Sequence, residues 1–237
     1  VTSRPAPLTV IRPGVRVSIA CSERSDGDFH LDQSRELLDA TRRRFVDLPW
    51  SQPEEVHGAT VLVVERPGHH DCSVADALVS SADGAVLGIW VGDCAPVALV
   101  GDDGSIGAVH AGWRGLEAGV LHETVAAMRS KGARQIDAVL GPCIHPCCYE
   151  FGYDDLDRLM RRFGSGVVGR TASGRRALDM PAAVRAALSE VTVALDDHSV
   201  CTGCRSEHYF SHRVRAERGR QVMAVWRHGL CTAQDPT

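Results

Sequence analysis

Apolar positions come in short blocks along the chain, and their period changes from block to block. "LTVI" and "VRVSIA", with Arg12-Pro13-Gly14 between them, predict a hairpin. Over 30–47, Leu31, Leu37, Leu38, Phe45 and the following Leu48 recur at roughly helical spacing, and Pro49 ends that element. "ATVLVVE" predicts a strand closed by Pro67-Gly68. "DALVS", "AVLGIWVG", "APVALV" and "SIGAVH" then predict a meander of short strands, with turns at Asp83-Gly84 and Asp102-Asp103-Gly104. Leu116, Val120, Leu121, Val125 and Met128 share one face of a helix over 115–131. "IDAVLG" is a further strand, followed by a Gly/Pro/Cys loop, helices near 153–163 and 180–190, and a final strand "GRQVMAVWR". No repeat and no linker interrupts this order, so a single α+β domain spanning 1–237 is the economical expectation.

Composition narrows the function classes. The 237 residues carry a formal charge of −4 with acids and bases mixed. Arg42, Arg43 and Arg44 form the densest basic run, at the end of a predicted helix, where positive charge complements the dipole. They predict a solvated helix end rather than a nucleic-acid surface. The most apolar region, 85–100, is broken by Asp93, so neither a membrane span nor a membrane partner is expected. The first residues lack a basic stretch followed by an apolar one, which predicts a cytoplasmic protein with no signal peptide. In that compartment the nine cysteines predict free thiols or metal ligands rather than a disulfide framework.

Four groups contain metal-type ligands. His57, Cys94 and His110 are far apart, but each stands at a strand boundary beside a small residue. Two histidines and a cysteine suit zinc with a fourth position open, the mark of a catalytic site. Cys201, Cys204, His208 and His212 form a compact C-x2-C-x3-H-x3-H run, by spacing alone the better zinc candidate and a closed, structural one. Cys143, His145, Cys147 and Cys148 pose a nucleophile against a proline-fixed loop of small apolar thiols. "HHDC" at 69–72 reads as an exposed loop.

Anion-binding groups accompany them. Arg114 opens the helix that follows "AVHAGW", where backbone N–H groups and a guanidinium both favour phosphate or carboxylate; the bland alternative is an ion pair with a structural carboxylate. Ser211, His212 and Arg213 in "YFSHRVR" are three more anion-capable groups, or simply a strand. Gly112 and Gly115 suit a sharp turn that lets backbone approach a ligand. Asp93, beside Cys94, can orient a ligand or move protons, or else brace a turn.

The stretches "VHGATV", "ADALVS", "GDCAPVALV", "GAVHAGWRG", "GPCIHPCCYEFG" and "YFSHR…GRQVMAVW" together resemble the YfiH/DUF152 family, also called the laccase-domain or multicopper polyphenol oxidase family. The resemblance runs from about Val56 to Trp226 and implies one α+β domain with a layered mixed β core and flanking helices. It implies zinc on His57, Cys94 and His110, reversing the order that spacing suggests. It turns Arg114, Ser211, His212 and Arg213 into substrate contacts, with Asp93 and Arg114 in catalysis. Glu55 stands where the family usually has glutamine, adding negative charge beside the metal.

Three activities go with the family. One is phosphorolysis of adenosine, inosine, guanosine and methylthioadenosine, with deamination of adenosine. Another is amidase editing of cell-wall precursors. The third is laccase-like phenol oxidation with copper. Multicopper oxidases hold their ions with paired His-x-His motifs, and this chain has none, which ranks copper oxidation low. A zinc-stabilised binding domain without turnover is the rival outside enzymes. Purine nucleoside and phosphate are therefore the expected partners, with no nucleic acid.

Overall fold

The computed structural model describes residues 7–12 and 14–229. The hairpin forms as β1 (Leu8–Arg12) and β2 (Val15–Cys21); Pro13 of its expected turn lies outside the described residues. The next helix, α1 (Arg35–Phe45), starts later than the apolar spacing predicts, because the Ser34 hydroxyl caps it by accepting the Leu37 N–H. Next come β3 (Trp50–Ser51), β4 (Val61–Val64), β5 (Ala77–Ser80), β6 (Val86–Val91), β7 (Ala95–Gly101) and β8 (Ile106–Ala111). They lead to α2 (Trp113–Ala118), α3 (Val120–Ser130), β9 (Ile136–Leu140) and α4 (Tyr153–Phe163). The small hairpin β10 (Val168–Arg170) and β11 (Arg176–Leu178), then α5 (Met180–Glu190), β12 (Ala194–Asp197), α6 (His212–Arg215) and β13 (Gln221–His228) close the chain.

Two mixed sheets pack face to face. One has five strands in the order β1-β2-β13-β6-β3, the other six in the order β12-β9-β7-β8-β5-β4. Between them lie Val17, Ile19, Leu87, Ile89 and Val225 from the first sheet and Leu78, Ala98, Val100, Ile106 and Ala108 from the second. Alternate residues of the second sheet, among them Val97, Leu99 and Val109, turn the other way and meet α3, α4 and α5. The outer face of the first sheet, to which Trp50 of β3 belongs, packs on Phe29 and Phe45. Such a β7 is buried on both faces, which is why its sequence is a continuous apolar run rather than an alternating one. Burial at about 1.5–3 kcal/mol per large apolar side chain drives this layering.

Three expectations are corrected. The meander does not form: β7 and β8 pair as a hairpin, but β6 crosses into the other sheet and pairs with β13 and β3. An apolar run specifies a buried strand without specifying its partner. The helix over 115–131 divides at Gly119, whose φ of 90° ends α2 and starts α3. A left-handed residue interrupts the helical hydrogen-bond ladder, and glycine takes that conformation at little cost. Arg42 is not solvated: it is buried, with both terminal nitrogens 3.0 Å from the Asp71 carboxylate and two contacts to Gln52. Arg43 and Arg44 remain exposed. No helix among the described residues is long and apolar enough to cross a membrane.

Candidate functional site

The β7–β8 pairing assembles the site. Ala95 lies opposite Ala111, so Cys94, just before β7, comes to the same sheet end as His110 and Gly112. His57 arrives from the loop before β4, in a left-handed conformation with φ 62°. One buried carboxylate holds these parts together. Asp76 accepts the backbone N–H groups of His57 and Gly58, each at 2.7 Å, and the Nδ1–H of His110 at 2.9 Å. That leaves the Nε2 lone pair of His110 free to act as a ligand, the usual arrangement behind metal-binding imidazoles. His57 Nε2 lies 3.9 Å from Cys94 Sγ, and ligand atoms of all three residues fall within 4.8 Å of one another. A Cβ on Gly112 would stand 3.0 Å from His57 Cδ2 and 3.2 Å from Cys94 Sγ, so any larger residue would press on these two side chains.

Charge at the site favours a cation. Glu55 is buried against it, accepting the Trp90 N–H at 2.9 Å and lying 3.6 Å from His110 Nδ1. Burial pushes its carboxyl up to about 8, against the pull of His110. Burial alone would raise the Cys94 thiol, but the His110 and His57 rings reverse that and bring it down to about 6. Burial likewise opposes a charged His110, yet Glu55, Cys94 and Asp76 hold it well above the usual histidine range. The Cys94 thiolate and the Asp76 carboxylate thus flank two imidazoles, and a metal ion would take the place of the Nε2 proton that His110 otherwise holds. Tetrahedral zinc holds nitrogen and sulfur at about 2.0–2.3 Å, which separates its ligand atoms by about 3.5 Å, and this trio fits that ion.

The trio opens into a cavity of about 360 Å³ that Asp93, Arg114, His212 and Arg213 also line. Arg114 is exposed and lies over the Trp113 ring, 4.3 Å from its centroid. The nearby acid, Glu117, bonds Arg158 at 2.8 Å, and Arg114 forms no ion pair among the described residues. Helix α2 is only six residues long, so the guanidinium, not a long helix dipole, supplies the positive charge here. Arg213 lies over Tyr149 and donates to the Glu150 carbonyl at 2.7 Å. Ser211 is fully buried, and its hydroxyl caps α6 by accepting the Val214 N–H; it does not line the cavity, which corrects its expected place. Asp93, at φ 133°, accepts the Thr202 hydroxyl and the Arg213 N–H, each at 2.6 Å. These bonds brace the turn that presents Cys94, and Asp93 also lines the cavity.

A family model described as multi-copper polyphenol oxidoreductase laccase matches residues 17–228. The chain belongs to this family, the YfiH family. A Xylella fastidiosa relative named purine nucleoside phosphorylase is 37% identical over 92% of this chain and 91% of its own length. The Escherichia coli protein named purine nucleoside phosphorylase YfiH is 32% identical over 85% of this chain and 82% of its own. The same fold occurs in a Neisseria meningitidis protein of 24% identity and TM-score 0.78, covering 95% of this chain and all of that one.

Within this YfiH-family chain the two cysteine-containing motifs are rearranged. His208 leaves the C-x2-C-x3-H-x3-H run to bond Glu23 at 3.0 Å, and His212 faces the cavity. Cys143 is buried in the core and His145 bonds Ser199, so the nucleophile pairing does not form. Cys21, Cys72, Cys94, Cys143, Cys147, Cys148, Cys201 and Cys204 are free thiols, while Cys231 lies outside the described residues. Sequence reasoning missed Asp76, although "ADALVS" holds it: a carboxylate abutting a buried apolar strand is its only signal. Trp90, Tyr149 and Arg220, which also line the cavity, carry no local signal. Asp76→Asn should lower metal affinity about tenfold or more at unchanged fold, read by competition with a chromophoric chelator. Unaltered affinity would reduce Asp76 to a loop brace.

Proposed function

We propose that the protein is a zinc-dependent purine nucleoside phosphorylase acting on adenosine, inosine, guanosine and methylthioadenosine, with deamination of adenosine as a second reaction. The observation that carries this reading is the Arg114 guanidinium, which forms no ion pair with a carboxylate among the described residues and faces the same cavity as His57, Cys94 and His110. The names of the relatives support it. His57, Cys94 and His110 would hold the ion, which when bound supplies Lewis acidity beside the substrate.

The side chains divide the remaining tasks. Trp90, Trp113 and Tyr149 give the cavity aromatic walls for a planar base. Arg114, with His212 and Arg213, holds phosphate so that an oxygen reaches ribose C1′ as the glycosidic bond breaks; its electron pair leaves with the purine, which takes a proton. Asp93 keeps Arg213 and Cys94 in register through its two hydrogen-bonded oxygens. Multicopper oxidation is disfavoured by the ligands themselves. Among the described residues the two metal-type groups contain only two histidines, both in one group. The free thiols fit a reducing compartment such as the cytoplasm.

Incubation with a nucleoside panel, with and without phosphate, tests the reading by product analysis. Free base and ribose 1-phosphate should form only when phosphate is present. Absence of phosphate-dependent cleavage would sink it, and amide hydrolysis without phosphate would point to the cell-wall amidase instead.

A further inference from the structure

Four cysteines from two loops meet behind the cavity. Cys147 and Cys148 lie on a single helical turn, 146–148, that Pro146 starts. Cys201 and Cys204 flank a tight turn closed by the Arg205 N–H on the Cys201 carbonyl at 3.1 Å. The two loops are stitched by a parallel bridge between Cys143 and Cys201. On this frame the sulfur separations are 3.9 Å for Cys147–Cys148, 3.6 Å for Cys147–Cys201, 3.5 Å for Cys147–Cys204 and 3.4 Å for Cys148–Cys204. All four sulfurs lie within 4.8 Å of one another.

Chemistry discriminates among the uses of such a group. A disulfide needs sulfurs about 2.05 Å apart and joins two of them, whereas here one sulfur, Cys147, is near three others. A tetrahedral ion with metal–sulfur bonds of about 2.3 Å places its four sulfurs about 3.8 Å apart, close to the separations found. The His145 N–H donates to Cys201 Sγ at 3.4 Å, a hydrogen bond that suits a thiolate ligand. Arg215 donates to the carbonyls of Thr202 and Gly203, bringing a positive charge to the turn between two of the sulfurs. With four protein ligands and no open position, the arrangement is that of a structural site.

We infer that Cys147, Cys148, Cys201 and Cys204 bind one zinc ion as a closed tetrathiolate site, separate from the His57–Cys94–His110 centre. Its task is to clamp the loop after β9 to the loop before α6. Thr202, between two ligands, bonds Asp93, and Tyr149, next to Cys148, lines the cavity. The ion would therefore stabilise the loop that leads into α6 and Arg213 and the loop that carries Tyr149, without touching substrate.

Metal analysis of the full chain, purified under reducing conditions, tests this independently of the proposed activity. Wild type should carry two zinc ions per chain and Cys94→Ala one. Cys148→Ser/Cys204→Ser should also carry one, with a melting temperature lower by about 5 °C or more. Cobalt-loaded Cys94→Ala should show thiolate-to-cobalt charge transfer and tetrahedral ligand-field bands, both lost in Cys94→Ala/Cys204→Ser. Because a cysteine variant can misfold, stepwise mercurial titration of folded Cys94→Ala gives a second measure: its zinc should leave as four thiols react. Folded Cys94→Ala without zinc, iron in place of zinc, or a reproducible disulfide among the four would overturn the assignment.

Discussion

Cys94→Ala should lower phosphorolysis about a thousandfold or more and empty the centre that His57 and His110 share with it. Removing one of three ligands leaves two imidazoles, too few to hold zinc firmly. Lewis-acid stabilisation is worth several kcal/mol of barrier, and each 1.36 kcal/mol is tenfold in rate. The fold should survive, because Cys94 is only partly buried at the end of β7 and alanine is smaller. The measurement is kcat/KM for inosine with phosphate, on protein whose zinc content has been determined. Activity within about tenfold of wild type, in protein lacking zinc at this centre, would remove the metal from the reaction.

Arg114→Ala should cost about 1.5–3 kcal/mol, or ten- to a hundredfold, in phosphorolysis, while adenosine deamination changes less. Only phosphorolysis uses phosphate as a reactant, and among the described residues Arg114 has no ion-paired carboxylate to lose. Arg114→Lys should recover part of the loss, since it keeps charge but gives up the planar fork. Substitution also removes the stacking on Trp113, so zinc content and melting temperature must be measured alongside. Equal loss in both reactions with unchanged phosphate affinity would exclude Arg114 from the phosphate site.

Local pattern carried much of the architecture. The helices at 153–163 and 180–190 occur as α4 and α5, because an apolar stripe on a polar helix has one way to be buried. Asp179 adds a start signal readable from sequence, accepting the Ala182 N–H. "HAGWRG" is legible for a similar reason: a strand, a glycine turn and a helix start are local events, and the residue order itself places His110 and Arg114 on either side of that turn.

Partnership across the chain is another matter. The run "AVLGIWVG" reads as a buried strand whichever sheet receives it, and only its pairing with β13 reveals the crossover. Asp93 beside Cys94 reads from sequence as a ligand-orienting or proton-moving group or a turn brace, and only the fold shows that Thr202 and Arg213 bond its two oxygens. The cysteine spacing joined Cys201 and Cys204 to His208 and His212, whereas packing joined them to Cys147 and Cys148. By itself the sequence determined most of the longer strands and helices, the strand-end positions of His57, Cys94 and His110, and the supply of thiols, because periodicity and turn chemistry act over a few residues; short elements such as β3, β12 and α6 left no such signal. Tertiary structure alone decided which of those groups meet, because ligation, ion pairing and proton sharing depend on distances of a few ångströms between residues far apart along the chain.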